Sequence, residues 1–435
     1  MVGTYAGFDY GTSHCAIGLW ADDGVQLATL EADQPLVPST LYAPSMRLAL
    51  PVTQGKLRLD SQGFTDLRFG AAALREYLRN PTQGYFVKSP KSFLGVAGLN
   101  AEIRERFVTV VAAMMANVKQ RADRAALSLG GDAIHQVVVG RPVNFQGLGG
   151  RDANEQALSM LTEAANRAGF RDVAFQYEPM AAALEYEQRL RAEEEILVVD
   201  IGGGTTDVSF VRVGGNRTLS IERDADILGH TGERLGGNDY DQALALQAVM
   251  PEFGFGDQLN TGLPVPNTYF VDAVSTNDVN AQQRFYSAAT LERLEVFARD
   301  AIPAHRCARL LTLREQRATY RLLREVELGK IGLSSAEQVK VDCTAFEQGL
   351  LVPANAAQLN AACERLLHHL RALIDEVSTQ AGREPQRVYL TGGMSKAQIV
   401  RDFLQATYAG VEFIDSDHFV SVTEGLTVWA RGLYA

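Results

Sequence analysis

Short apolar runs that end in glycine or an acidic residue alternate with longer amphipathic stretches along this chain. Runs of this kind predict buried strands whose useful residues lie at the carboxyl ends. The predicted strands are Val137–Gly140, Val173–Tyr177, Ile196–Asp200 and Val388–Gly392. The predicted helices are Ala101–Leu127, Ala153–Gly169, Met180–Arg191, Leu313–Ile331, Ala356–Ala381 and Lys396–Tyr408, with a last helix from Val420 to the C-terminus. Strands that alternate with helices indicate an α/β fold.

One pattern occurs twice. Residues 7–17 have the sequence GFDYGTSHCAI, and residues 199–210 have the sequence VDIGGGTTDVSF. Each is an apolar strand that ends in aspartate, followed by a glycine turn with hydroxyl residues and a second apolar strand. This repeat predicts two related lobes, with a cleft where the two turns face each other. The alternative is two unrelated hairpins, because glycine turns are common.

The two turns contain the residue types that bind phosphate and magnesium. Glycine lets a backbone approach a phosphate closely, and successive N–H groups and hydroxyls can hold its oxygens. An aspartate at a strand end can hold Mg²⁺ through water. The first turn supplies Asp9, Gly11, Thr12 and Ser13, and the second supplies Asp200, Gly202, Gly203, Gly204, Thr205 and Asp207. Since the chain has no G-x-x-x-x-G-K-[ST] motif, a two-turn clamp on a triphosphate is the simplest interpretation.

Composition narrows the function. The 435 residues have a formal net charge of -11, which argues against a nucleic-acid binder. The four cysteines form no C-x-x-C pair, a pattern typical of reduced cytosolic thiols and not of a disulfide framework or a zinc site. No apolar run approaches the roughly 20 residues that span a bilayer, and the N-terminus has no signal-peptide pattern. We therefore expect a cytoplasmic protein without membrane or nucleic-acid partners.

Further segments give the two turns a family context. Together with the turns they resemble, in family order, the motifs of the DnaK-type heat-shock chaperones, which belong to the superfamily of actin and hexokinase. The segments are KSFLG at 91–95, YEPMAAA at 177–183, DIGGGTTDVS at 200–209, LGGNDYD at 235–241, Glu327 to Ser334, and TGGMSK at 391–396. They extend over most of the chain, and the set is far more specific than any one segment.

The resemblance implies the actin-like ATPase fold: two lobes, each with a duplicated ribonuclease-H-like core, around a central nucleotide cleft. Lobe I would be residues 1–190 with the first turn. Lobe II would be residues 191–435 with the second turn, the adenosine site and an insertion near 251–305. The segment Pro251–Asn280 is rich in Gly, Pro, Asn and Phe and predicts irregular structure. The last helix would pack back on lobe I, and we expect no peptide-binding domain.

The resemblance also implies roles and the cofactors ATP or ADP and Mg²⁺. Asp9 and Asp200 would hold the metal, and the glycines and hydroxyls of the two turns would hold the phosphates. Lys91 would act on the γ-phosphate, and Glu178 and Asp207 would orient or deprotonate the attacking water, with Asp200 and Thr205 also in the catalytic group. The nucleoside would lie between two sets of residues: Glu327, Lys330 and Ser334, and Gly392, Gly393, Met394 and Lys396.

Several of these residues have simpler interpretations. Lys91 could be a solvated loop lysine, and Lys88 competes for its role. Glu178 precedes a proline, and its role could be limited to capping the helix that begins there. Glu327 and Lys330 could form a surface ion pair. Ile331 and Lys396 stand where the family has arginines that stack on adenine, which predicts a looser hold on the base.

Four functions remain open from the sequence. The leading hypothesis is an ATPase that acts as a chaperone-like nucleotide switch. A small-molecule kinase of the same superfold would need an aspartate base in a substrate pocket, and no such motif lies outside the matched set. An actin-like filament protein and a scaffold that binds nucleotide without hydrolysing it are the other two.

Overall fold

A computed structural model describes residues 4–22, 24–31, 33–43, 52–53, 56–57, 67–96, 98–145, 150–214, 223–415 and 420–435. The fold is mixed α/β, and the class expected from the sequence is confirmed. The strands are β1 (Tyr5–Tyr10), β2 (His14–Ala21), β3 (Gly24–Leu27), β4 (Val37–Pro38), β5 (Thr40–Ala43), β6 (Val52–Thr53), β7 (Lys56–Leu57), β8 (Arg68–Phe69), β9 (Tyr85–Lys88), β10 (Gln136–Arg141), β11 (Asp172–Tyr177), β12 (Glu194–Ile201), β13 (Thr206–Val213), β14 (Ile227–Glu233), β15 (Gln258–Leu259), β16 (Ala301–Ile302), β17 (Gln338–Asp342), β18 (Leu351–Asn355), β19 (Arg387–Thr391) and β20 (Glu412–Asp415).

Helices connect and cover these strands. They are α1 (Gly70–Arg79), α2 (Ala101–Ser128), α3 (Gly150–Ala168), α4 (Glu178–Glu187), α5 (Gly237–Leu244), α6 (Thr268–Val274), α7 (Val279–Phe285), α8 (Ala288–Asp300), α9 (Ala304–Glu315), α10 (Thr319–Gly332), α11 (Ala356–Ala381), α12 (Gln398–Thr407) and α13 (Ser421–Tyr434). Short 3₁₀ helices at Pro90–Phe93 and Gly393–Lys396 carry residues of the predicted site.

Two sheets have the same topology. In the first, the strand order is β3-β2-β1-β10-β11, and in the second it is β14-β13-β12-β19-β20. In each sheet the first hairpin and its third strand are antiparallel, and the later two strands are parallel to the first. The repeated sequence pattern therefore corresponds to equivalent hairpins, β1-β2 and β12-β13, at equivalent positions in two sheets.

A shared apolar cluster lies between these sheets. Helices α4 and α13 contribute Met180 and Leu426, which are buried together with Val138 of β10 and with Val198 of β12. The last helix also packs directly against β1, β2 and α4. The C-terminal helix is thus part of the core that supports the first hairpin.

Several element boundaries differ from the prediction. The predicted helix Leu313–Ile331 is two helices, because the chain turns between α9 and α10 at Arg317, which has a left-handed φ of 51°. Helix α4 ends at Glu187 and does not reach Arg191, and the predicted helix from Lys396 starts at Gln398 after a 3₁₀ turn. The expectation of irregular structure over Pro251–Asn280 was wrong in part. That segment contains α6 and the start of α7, where the Asp278 side chain caps two backbone N–H groups.

The cysteines and the helices bear on two further expectations. Cys15, Cys307, Cys343 and Cys363 are buried, free thiols. Within the described ranges, we find no helix with both the length and the apolar character needed to cross a bilayer.

Candidate functional site

The two glycine turns meet. A β-carbon added to Gly203 would lie 1.8 Å from the Ser13 hydroxyl oxygen, and one added to Gly204 would lie 2.7 Å from the Thr12 methyl group. Side chains at these positions would collide with the first turn, so the glycines allow the two turns to approach this closely. The turns that the sequence predicted to face each other are therefore in contact.

A third segment supports the second turn. The backbone N–H of Gly237 donates to the Gly202 carbonyl at 2.9 Å, and the N–H of Asn238 donates to the Gly203 carbonyl at 2.8 Å. A β-carbon on Gly236 would lie 2.6 Å from the Gly204 nitrogen. The segment before α5 thus fixes the shape of the second turn. This LGG segment belongs to the family resemblance, but no role was predicted for it.

Lys91 and Glu178 form a buried ion pair beside the two turns. The Lys91 Nζ atom is 2.5 Å from Glu178 Oε1, and the two residues are 5% and 7% exposed. Burial alone would lower the pKa of Lys91, but the charges of Glu178 and Asp9 raise it overall. Lys91 is therefore not a solvated loop lysine. Glu178 is the first residue of α4, yet its carboxylate contacts Lys91, so helix capping is not its whole role.

Three aspartates surround this pair, and all have raised pKa values. Burial, followed by the charge of Glu178, raises the pKa of Asp9 to about 7 and that of Asp207 to about 8. Burial also raises the pKa of Asp200, and the charges of Glu178, Asp207 and Asp9 raise it further. Asp207 accepts a 2.6 Å hydrogen bond from the Val143 backbone N–H, a contact that was not predicted. The cluster carries more carboxyl groups than Lys91 can neutralise.

These residues fit a hydrated magnesium ion. Burial, and after it the charges of neighbouring carboxyl groups, raise the pKa values of Asp9 and Asp200, and a divalent cation would oppose the effect of those charges. Among the residues described, no group of three or more His, Cys, Asp or Glu side chains is arranged to hold a metal directly. A site for hydrated Mg²⁺ does not require such a group, because the ion usually keeps several waters and uses only one or two carboxylates.

The raised pKa values predict how stability depends on pH. Unfolded aspartates titrate near pH 4, so between about pH 4 and 8 the folded chain holds protons that the unfolded chain has released. Without magnesium and nucleotide, the contribution of Asp9 and Asp207 to stability should fall as the pH rises through this window. We expect the Tm in EDTA to drop between about pH 5 and 8 and to drop less in Asp207→Asn. Equal slopes in the two proteins, measured by thermal unfolding, would contradict this.

The predicted nucleoside residues lie on two elements that approach each other. Lys330 donates to the Gly237 carbonyl at 2.9 Å and pairs with Asp241 at 2.9 Å. Glu327 pairs with Arg324. The alternative of a surface pair between Glu327 and Lys330 was therefore wrong. Asp241, the actual partner of Lys330, was not assigned from the sequence, although it belongs to the quoted LGGNDYD segment.

A cavity of about 70 Å³ connects these elements, and it is called the α10–α12 cavity below. Lys330 and Ser334 line it at the end of α10, and Ala397 and Gln398 line it at the start of α12. Met394 lies close to Lys330. A β-carbon added to Gly237 would be within about 3.4 Å of both the Met394 side chain and Lys330 Nζ. Ile331 is 55% exposed and Lys396 is also exposed.

A second cavity borders the turns. Its lining includes Thr12, Lys91, Gly204 and Thr205, together with Pro142 and Arg234. Predicted phosphate-binding and catalytic residues therefore share one space. Arg234 was not predicted; it directly precedes the LGG segment and also lines a neighbouring polar cavity of about 140 Å³.

Comparison with known proteins gives this geometry a family. A model described as Hsp70 protein matches residues 95–259. The chaperone protein HscA of Proteus mirabilis is 37% identical over 142 residues, which are 32% of this chain and 20% of that protein. The chaperone protein DnaK of Trieres chinensis is 26% identical over 318 residues, which are 68% of this chain and 44% of that protein. Residues 95–259 thus match the Hsp70 family, and the chain is similar to DnaK and HscA chaperones over the aligned residues.

The match to Hsp70 proteins covers part of each relative. The heat shock 70 kDa protein BIP3 of Oryza sativa subsp. japonica is 26% identical over 253 residues, 55% of this chain and 35% of that protein. The chain thus spans less than half the length of these relatives. The match to the Hsp70 model supports the actin-like ATPase fold.

Proposed function

We propose that this chain binds MgATP and MgADP between two lobes, hydrolyses ATP and acts as a chaperone-like nucleotide switch. The observation that carries the proposal is the contact between two glycine turns beside the buried Lys91–Glu178 pair. The Hsp70 match and the DnaK and HscA relatives support it. The two sheets of equal topology support a division into lobe I, residues 1–190, and lobe II, residues 191–435.

Phosphate binding falls to the two turns. Gly11, Thr12 and Ser13 on one side and Gly202 to Thr205 on the other would supply backbone N–H groups and hydroxyls to the phosphates. Of these residues, Thr12, Gly204 and Thr205 line the cavity beside the turns. Asp9 and Asp200 would hold the hydrated Mg²⁺, which neutralises charge on the phosphates when bound. Side chains of the protein would stabilise the transferred phosphoryl group and orient the attacking water.

Lys91 and Glu178 would have different roles in ATP hydrolysis. The Lys91 ammonium stabilises the charge that develops on the transferred phosphoryl group, and burial strengthens this interaction because water screens it less. Glu178 fixes the position of that ammonium through their hydrogen bond. Its second carboxylate oxygen, together with Asp207, orients the attacking water. Asp207 is itself held by the Val143 backbone N–H.

A contact above the cleft supports the switch. Tyr320 of α10 lies edge-on to Tyr77 of α1 and to Phe86 of β9, with ring centroids 5.9 and 5.3 Å apart. Tyr77 and Phe86 belong to proposed lobe I, and Tyr320 belongs to proposed lobe II. Opening of the cleft would separate these rings, so their packing favours the closed state.

Purified chain incubated with ATP and magnesium tests the proposal, with bound nucleotide and released phosphate measured together. Phosphate release without an added acceptor supports the ATPase. ATP consumption that requires an added sugar would favour the kinase, and ATP-dependent light scattering would favour the filament protein. Bound ATP without phosphate release would favour the scaffold.

We also propose that the chain acts in the cytoplasm, from its cysteine pattern and its similarity to DnaK and HscA chaperones.

The base pocket gives a separate prediction. Ile331 is exposed and directly follows Lys330, which lines the α10–α12 cavity. An arginine at this position could reach over a bound purine and stack on it. Ile331→Arg should tighten ATP and inosine triphosphate alike, by about 2- to 5-fold, because stacking does not distinguish the two purines. Leu263→Arg, which adds the same charge at another exposed apolar residue, should leave both affinities unchanged. Calorimetry decides, and unchanged affinities in Ile331→Arg would refute the prediction.

A further inference from the structure

The α10–α12 cavity contains an amide whose orientation is fixed. The Gln398 side-chain nitrogen donates to Asp402 Oδ1 at 2.6 Å, one helical turn along α12. An ionised carboxylate only accepts hydrogen bonds, so the nitrogen of the amide must face Asp402. The Gln398 oxygen is therefore turned away from Asp402. Both residues line the cavity, so this cavity wall offers acceptors.

The other polar residues of the cavity discriminate less, because Lys330 is already paired and Ser334 and Asn360 can each donate or accept. Lys330 directs its ammonium at Gly237 and Asp241. The Ser334 hydroxyl can donate or accept by rotation. Among the contacts of the described residues, none holds the Asn360 amide, so it can turn either face to a ligand. Gln398 is thus the lining side chain best able to distinguish a donor from an acceptor on a bound base.

We propose that Gln398 selects 6-amino purines over 6-oxo purines, with Asp402 as its positioning residue. The exocyclic amine of adenine donates hydrogen bonds, so it can pair with the Gln398 oxygen. The 6-oxo group of hypoxanthine or guanine would place an acceptor against an acceptor. This inference rests on the proposed function, because it requires that a nucleoside occupies the α10–α12 cavity.

The expected selectivity is modest. Gln398 and Asp402 are both exposed, so water competes for the contact. A single hydrogen bond in such a setting changes affinity by about 2- to 10-fold. Selection by Gln398 adds to whatever affinity the base gains by stacking, and it does not depend on an arginine at Ile331 or Lys396.

ADP and inosine diphosphate, which differ at the 6-position and in the protonation of the adjacent ring nitrogen, are suitable probes. With magnesium present, we expect calorimetry on the wild type to give an affinity for ADP that is about 2- to 10-fold higher than the affinity for inosine diphosphate. Gln398→Leu should bring the ratio close to one, mainly by weakening ADP. Asp402→Ala should also reduce the ratio although Gln398 is still present, because the released amide can turn its nitrogen toward inosine. This second result distinguishes orientation from mere contact.

Glu102→Ala is the matched control, since it breaks another exposed i,i+4 pair, with Arg106, and should keep the wild-type ratio. An equal affinity for both nucleotides in the wild type would overturn the inference, and so would a wild-type ratio retained in Gln398→Leu. Failure of the wild type to bind either nucleotide would instead overturn the proposed function on which the inference rests. The two failures are therefore distinguishable.

Discussion

Lys91→Ala and Glu178→Gln should each slow single-turnover ATP hydrolysis by about 100-fold or more. Lys91 is placed to neutralise charge on the transferred phosphoryl group, and Glu178 holds its ammonium at 2.5 Å. An interaction that strengthens in the transition state lowers the rate without weakening the ground-state complex by a similar factor. We therefore expect ATP affinity, measured in parallel, to change far less than turnover.

Stability must be measured beside turnover, because each change leaves a buried partner unpaired. Breaking a buried ion pair costs about 3–5 kcal/mol. The double variant Lys91→Met with Glu178→Gln removes both charges and limits that loss. Lys119→Ala is the matched control: Lys119 is a buried lysine paired with Asp123 at 2.7 Å, far along α2. It should lower the Tm and leave turnover intact.

Two outcomes would change the assignment of this pair. Normal hydrolysis in folded Lys91→Ala and Glu178→Gln would mean that the pair only stabilises the fold. Loss of hydrolysis in the Lys119→Ala control as well would mean that turnover follows stability and not the chemistry of Lys91.

Asp200→Asn should weaken magnesium-dependent ATP binding by about 10- to 100-fold while the fold stays intact. The amide has the shape of the carboxyl group but cannot order the waters of Mg²⁺ as an anion does. Burial already raises the pKa of Asp200, so a neutral side chain is well tolerated there. Calorimetry with magnesium and with EDTA checks this, because the difference between variant and wild type should disappear in EDTA. A variant that binds MgATP like the wild type would remove Asp200 from the metal site.

Local patterns allowed much of this site to be predicted. Asp9 and Asp200 each end a buried strand and lead into a glycine turn, so the sequence specifies each hairpin within about a dozen residues. The equal topology of the two sheets follows from that repeat. Contact between the turns was predicted because the same pattern occurs twice, and the close approach of Gly203 to Ser13 agrees with it.

Long-range pairing was harder to predict. Lys91 and Glu178 are 87 positions apart, and without the family resemblance nothing in either segment identifies the partner of the other. The simpler interpretation paired Lys330 with Glu327, because residues three apart on a helix lie on the same face. In the structure Lys330 instead pairs with Asp241, which belongs to another helix. The tertiary structure determines which buried charged residues pair, and their spacing along the sequence does not.

Backbone exceptions caused the errors in helix boundaries. The backbone of Arg317 adopts a left-handed conformation that residues other than glycine rarely take. The hydrophobic periodicity therefore predicted one helix where there are two. Helix α6 has only seven residues, too few for its pattern to stand out among the surrounding Gly, Pro and Asn residues.

Calorimetric titration of the purified wild-type chain with MgATP and MgADP tests the nucleotide site most directly. If the turns that begin at Asp9 and Asp200 form a magnesium-dependent clamp, both nucleotides should bind one to one, and EDTA should weaken the binding sharply. A folded chain that binds neither nucleotide, with or without magnesium, would contradict the proposed function.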